Sequence, residues 1–85
     1  MWYGAQGSGG VALRAASGYH HVLVLRDDGT VWGWGRNSDG QLGDGSDSNR
    51  SSAVQAVGLS NVVEVEAGYR NSYAIDAGGA LWGWG

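Results

Sequence analysis

The sequence predicts an all-β chain of short antiparallel strands joined by tight turns, and three observations carry that expectation. Seventeen of its 85 residues are glycine and none is proline, against a typical glycine share of about 7%. Beside them stand five Trp and four Tyr, which a flexible glycine-rich linker lacks. Almost every window of twelve residues holds a glycine, and few show helical spacing, so helix is disfavoured. Glycine for turns and large aromatics for packing describe an ordered β protein.

A repeat organises the strands. Shifting the chain by 50 residues aligns Ser17 to Gly35 with Ala67 to Gly85, and seven of the 19 positions are identical: Gly18/Gly68, Tyr19/Tyr69, Gly29/Gly79, Trp32/Trp82, Gly33/Gly83, Trp34/Trp84 and Gly35/Gly85. Val11 to Ala16 and Val62 to Glu66 read as first strands, the latter alternating apolar Val63 and Val65 against Glu64 and Glu66. Gly18 and Gly68 break them, where the backbone needs a positive φ or a close approach. His21 to Arg26 and Ser72 to Asp76 are second strands. Asp28-Gly29 is a type I′ hairpin signal, with Gly78-Gly79 at the same place. Val31 to Trp34 and Leu81 to Trp84 are third strands, whose Trp-Gly-Trp spacing puts both indoles on one face and lets a neighbouring layer approach the glycine. A polar loop, Arg36 to Ser52, follows, with Leu42 as its one apolar pin, and Ala53 to Val57 is expected as a fourth, outer strand. Three to four strands in about 50 residues is the size of one propeller blade.

Gly18-x-x-His21, then Asp28-Gly29-x-Val31-Trp32-x-Trp34-Gly35-x-Asn37-x-x-Gly40-Gln41-Leu42-Gly43, continuing through Arg50, Val54, Gly58-Leu59 and Val62, resembles the repeat of the regulator of chromosome condensation family. The resemblance covers about residues 11–85 and implies a fragment of a seven-bladed β-propeller: about two blades of three to four antiparallel strands, or about 1.7 repeats. Residues 11–60 form the first repeat and 61–85 a truncated second one, stopping where another Gly-Gln-Leu-Gly turn is due. Residues 1–10 are the tail of a degenerate preceding unit, or an arbitrary start of the chain. Asn71 replaces His21 in the second unit, and Ala53 stands where the family usually carries Pro.

Composition excludes several classes of function. With no Cys there is no disulfide framework, thiol chemistry or cysteine metal site, and the redox compartment stays undetermined. No apolar run reaches the roughly 18 residues of a membrane helix, so no membrane protein is expected, and no secretory signal is recognisable near Met1. Five scattered Arg and a net charge of −3 do not supply the clustered cations that nucleic acid requires.

Individual motifs read as structure. His20 and His21 are adjacent, so on a strand they point to opposite faces and cannot chelate one metal. His21 is expected to pack and hydrogen-bond inside its blade. Asp39, Asp44 and Asp47 with Asn37 and Asn49 lack the register of a calcium loop, and Gly7-Ser8-Gly9-Gly10 lacks the lysine ending of a phosphate loop. Glu64 and Glu66, two apart on one strand face, read as a solvated edge rather than a pair of catalytic acids. No Ser lies in a nucleophile elbow. No cofactor, metal or catalytic residue is expected.

The leading functional expectation is a non-enzymatic protein-interaction module whose contacts come from the loop 36–52, with Arg36, Asp39, Asp44, Asp47 and Arg50 as candidates, or from the hairpin Asp27 to Thr30. The repeat signature, namely Gly18, His21, Gly29, Trp32, Trp34, Gly35, Asn37, Gly40, Gln41, Leu42, Gly43, Gly68, Trp82 and Trp84, is expected to be structural. The family's founding activity, nucleotide exchange on a small GTPase, belongs to the loops of a full ring and is not implied. The alternative is a carbohydrate-binding repeat using exposed Trp. Because a lone pair of blades leaves a face uncovered, neighbouring blades or self-association are expected as partners. Gly33→Val is expected to damage the fold more than Asp44→Ala, since a loop carboxylate usually matters by less than about 0.5 kcal/mol.

Overall fold

The computed structural model describes residues 11–85. The expected preceding unit in residues 1–10, and the glycine run within it, lie outside the described residues. Among those described there are seven strands and no helix: β1 Ala12–Ser17, β2 His21–Arg26, β3 Val31–Gly35, β4 Arg50–Gln55, β5 Val62–Ala67, β6 Ser72–Asp76 and β7 Leu81–Trp84. They form two antiparallel sheets, in the orders β1-β2-β3-β4 and β5-β6-β7.

The first three strands of one sheet repeat in the other at an offset of 50 residues, and β4 has no counterpart among the described residues. Arg14, Ala15, Ala16 and Ser17 pair with Leu25, Val24, Leu23 and Val22. Fifty positions later Glu64, Val65, Glu66 and Ala67 pair with Ile75, Ala74, Tyr73 and Ser72. Leu23 opposite Gly33 is matched by Tyr73 opposite Gly83. The all-β expectation and the 50-residue offset both hold.

Three local expectations are corrected. The first concerns β5, where strict alternation would put Val63 and Val65 on one face. A bulge between Val62 and Glu64 adds a residue to the strand, so Val62 and Val65 are buried while Val63 faces solvent. The same irregularity falls between Ala12 and Arg14 in β1. The second concerns the hairpin after β2. A type I′ turn needs positive φ at both central residues, yet Gly29 (φ 81°) has it and Asp28 does not. Gly29 N–H donates to the Arg26 carbonyl and Arg26 N–H to that of Thr30, both at 3.0 Å. That is a three-residue loop closed by a left-handed glycine, repeated by Gly79 N–H to Asp76 and Asp76 N–H to Ala80. The third concerns the fourth strand, which is Arg50–Gln55 rather than Ala53 to Val57. Arg50-Ser51-Ser52 carries no apolar alternation, but Arg50 pairs with Gly35. At the other end Val57 N–H turns away to the Gly43 carbonyl.

The core lies between the sheets. Leu23, Leu25 and Val31 of the first sheet meet Val62, Val65 and Ala74 of the second, with Ala56 from the connection and half-buried Trp84 at the margin. β5 lies against both β1 and β2, so the sheets are adjacent blades sharing one core.

Candidate functional site

The loop 36–49 that links β3 to β4 is built around two polar side chains. Asn37 is buried, and its amide nitrogen donates to the Asp44 carboxylate (3.0 Å) and to the carbonyls of Ser46 (3.1 Å) and Ser48 (3.0 Å). Its oxygen accepts from Leu42 N–H at 2.9 Å. Asp44 in turn accepts from the Ser46 amide and hydroxyl and from Arg50 Nε at 2.9 Å. Desolvation would raise the Asp44 pKa, but these donors outweigh it and hold the carboxyl at about 2. The loop is therefore a rigid platform. Asp44 points inward and Arg50 is paired with it, whereas Arg36, Asp39 and Asp47 remain exposed.

The same loop locks one blade to the next. Leu42 is fully buried against Gly33, where a Cβ would lie 2.7 Å from the Val22 carbonyl oxygen and 3.2 Å from Leu42 Cδ2. The Gln41 carbonyl accepts from Trp84 Nε1 at 2.9 Å and from the Ser72 hydroxyl at 2.6 Å. Ser72 thus has its proton engaged, so its oxygen accepts from His21 Nε2 at 3.0 Å. His21 was expected to bond within its own blade; instead it bonds across to the second sheet, because its imidazole folds over Gly18 toward Ser72. Asn71 folds over Gly68 in the same way. Burial lowers the His21 pKa from the usual 6.5, with the Asn71 carbonyl opposing, so the neutral tautomer carrying its proton on Nε2 suits this contact.

The four repeat tryptophans occupy unequal places. Trp32, Trp34 and Trp84 are half-buried and Trp82 is exposed. A shallow groove lined by Gly43, Ala56, Val57, Leu59, Trp82 and Trp84 is the place where indoles could stack a sugar. None of its other side chains is polar, and both indole N–H groups are engaged, Trp82 with Asp76 (3.1 Å) and Trp84 with Gln41. A sugar's hydroxyls would find no partners there, and nothing favours the carbohydrate reading.

A surface that sequence reasoning did not single out lies on the rim where the β1–β2 and β5–β6 turns meet. The two Gly-Tyr turns bring Tyr19 onto Tyr69 with ring centroids 4.3 Å apart, and His20 stands edge-on to Tyr19 at 4.1 Å. Arg70 lies over Tyr69 at 5.3 Å, and Arg36 completes the wall of the small cleft they form. Both tyrosines are more than half exposed, and no carboxylate lines the cleft. The available signal was the identity of Tyr19 and Tyr69 in the repeat. Among the described residues no group of three His, Asp or Glu could hold a metal.

Comparison with known proteins agrees with this architecture. Two models of the regulator of chromosome condensation (RCC1) repeat match residues 14–41 and 28–75. The probable E3 ubiquitin-protein ligase HERC3 of Homo sapiens is 38% identical over 76 residues, covering 86% of this chain and 7% of that protein. The mitochondrial RCC1 domain-containing protein RUG3 of Arabidopsis thaliana is 38% identical over 72 residues, covering 82% and 16%. In structure the chain is similar to human WBSCR16, with a TM-score of 0.85 and 34% identity over 94% of this chain and 21% of that one. Prp20p from Saccharomyces cerevisiae gives 0.79 and 25% over 95% and 22%. The chain thus spans a small part of each relative. With more than half of it matched by one repeat model, and with sheets, offset and blade-to-blade packing to correspond, the chain belongs to the regulator of chromosome condensation repeat family and folds as two blades of a β-propeller.

Proposed function

We propose that this chain is a non-catalytic protein-interaction module, with residues 11–60 and 61–85 as consecutive blades and the Tyr19–Tyr69 rim as its contact surface. The observation that supports this is the stacked, exposed tyrosine pair with Arg36, Arg70 and His20 around it and no acid in its cleft. Tyr and Arg are the side chains that dominate binding energy at protein interfaces. Arginines without a neighbouring carboxylate suit an acidic segment of a partner. Arg36 belongs both to this cleft and to the loop that the sequence nominated, while Asp39 and Asp47 of that loop are exposed and do not line it. Asp44, Arg50 and the repeat-signature residues act as the scaffold that fixes the loop.

The relatives' own activities belong to whole proteins. Ubiquitin ligation is named for HERC3, of which this chain spans 7%. Binding to Gsp1p and histones is named for Prp20p, of which it spans 22%. The test uses a fluorescein-labelled glutamate-rich peptide and its anisotropy on titration with the chain. Binding should weaken with added salt. It should fall about tenfold or more, or about 1.4 kcal/mol, in Tyr69→Ala and in Arg70→Ala, and stay unchanged in Arg26→Ala on the opposite rim. Equal affinity in all three variants would overturn the assignment, as would preference for a single-stranded oligonucleotide of equal charge.

A further inference from the structure

We propose that the depression beside the tyrosine rim, between His20, Arg36 and Asn49, binds the phosphate of a phosphorylated serine or threonine in a partner's acidic segment. This rests on the rim as the contact surface and adds the anion that it selects. His20, Gly35, Arg36, Asn49, Arg50 and Ser51 line the depression. Two of them, His20 and Arg36, also line the cleft of Tyr19, Tyr69 and Arg70, so the two openings share a wall. No carboxylate lines either one. In a chain of net charge −3, three of the five Arg gather at this one rim.

The hydrogen bonds already made decide which donors remain. Asn49 Oδ1 accepts from Asn37 N–H at 2.7 Å, which leaves the Asn49 amide nitrogen to donate elsewhere. Arg36 gives Nε to Ser38 Oγ at 2.8 Å, and no acid pairs with its guanidinium among the described residues. Arg50 gives Nε to Asp44 and Nη2 to Ser46 Oγ, and Nη1 is left over. Asn49 and Arg50 are thus held by the loop platform before any ligand arrives, which lowers the ordering cost of binding. The donor set separates a phosphate from a carboxylate. A glutamate offers two oxygens in one plane, and a single guanidinium satisfies both in a bidentate pair. A phosphomonoester offers three terminal oxygens and a charge of about −1.5 to −2 at neutral pH. It has an oxygen for each of Arg36, Arg50 and Asn49, while the residues flanking it cross the shared wall to Tyr19 and Tyr69.

Fluorescence anisotropy compares a glutamate-rich peptide carrying a central phosphoserine with the same peptide carrying serine. The phosphopeptide should bind about tenfold more tightly, the effect of added charge-assisted bonds. Asn49→Asp keeps an oxygen for Asn37 N–H and replaces the amide donor with a charged acceptor, so it should abolish that preference. Tyr69→Ala should weaken both peptides alike. Far-UV circular dichroism checks that each variant is folded, and Arg36→Gln, at an exposed position, replaces Asn49→Asp if that one is not. A second readout needs no peptide. Titration with free O-phosphoserine should move the Asn49 side-chain amide and Arg36 Nε–H resonances in nitrogen-resolved NMR spectra, and free glutamate should not. Equal affinity for the two peptides, or a preference that survives Asn49→Asp, overturns the phosphate site and leaves the rim reading standing. Failure of both peptides with the O-phosphoserine shifts retained overturns the rim reading and upholds the phosphate site. Adenosine monophosphate carries the same dianion on a nucleoside, and its binding more tightly than O-phosphoserine would overturn the assignment to a protein segment.

Discussion

Asp44 shows how far a loop residue can be from a spectator. Its position between glycines in a polar stretch suggests a solvated carboxylate. The fold instead gives it donors from Asn37, Ser46 and Arg50 and leaves its side chain 7% exposed. Asp44→Ala would remove the charged acceptor shared by Asn37, Ser46 and Arg50, although Asn37 keeps the Ser46 and Ser48 carbonyls and Arg50 keeps Ser46 Oγ, so a loss of about 1.5–3 kcal/mol is expected in urea unfolding. Asp47→Ala, on the exposed side of the same loop, should stay within about 0.5 kcal/mol. The expected order of Gly33→Val and Asp44→Ala thus becomes near equality. The histidine latch gives a second prediction at this scale. A folded pKa below the usual 6.5 means that the unfolded chain binds the proton more readily. The stabilisation is complete above pH 6.5 and is lost as pH falls below it toward the folded pKa. The melting temperature should therefore drop on acidification through this range, and His21→Asn should flatten that part of the profile. A profile of the same shape in the variant would refute the role given to His21. Asp44 contributes a separate step at lower pH: its stabilisation is present above pH 3.8 and is lost as pH falls through about 2.

At the scale of elements, most strands were legible because both periodicities were strong. Six of the seven start and stop within a residue of where the Gly-Tyr, Asp-Gly and Trp-Gly-Trp punctuation puts them, and β2, β6 and β7 coincide with it. What the pattern missed has a common cause. The bulge after Val62 and the pairing of Arg50 with Gly35 are set by backbone hydrogen bonds to a neighbouring strand, and hydropathy does not record those. The glycines separate by mechanism in a way that predicts mutational cost. A Cβ on Gly33 would press on the Val22 carbonyl, a backbone atom that cannot swing aside. Gly33→Val is therefore expected to cost about 1–3 kcal/mol. Gly78 has no positive φ, and a Cβ there would meet only Asp76 Oδ1 at 3.4 Å. Gly78→Ala should be neutral or stabilise by about 0.4–1 kcal/mol through the unfolded chain. Thermal melts of the two variants check the contrast.

For the whole molecule, the question is whether two sheets with the same plan unfold separately or together. The candidate surface and the latch both span units: Tyr19 meets Tyr69, and His21 reaches Ser72 across 51 residues. Repetition in a sequence announces that units exist but not which faces meet, so neither contact was legible before the fold was known. The core decides the answer. Leu23, Leu25 and Val31 of the first sheet and Val62, Val65 and Ala74 of the second are buried together in one cluster that spans both sheets. Neither half has a core without the other, and repeat units of this kind draw much of their stability from nearest-neighbour interfaces. Amide hydrogen exchange should therefore give the same opening free energy for Leu23 and Leu25 in β2 as for Ala74 in β6. Ala74→Asp, which buries an unpaired charge between the sheets, should remove protection from the β2 amides as completely as from its own strand. Retention of slow exchange at Leu23 and Leu25 in that variant would show that the first sheet holds its core alone, and the shared-core account of the pair would fall.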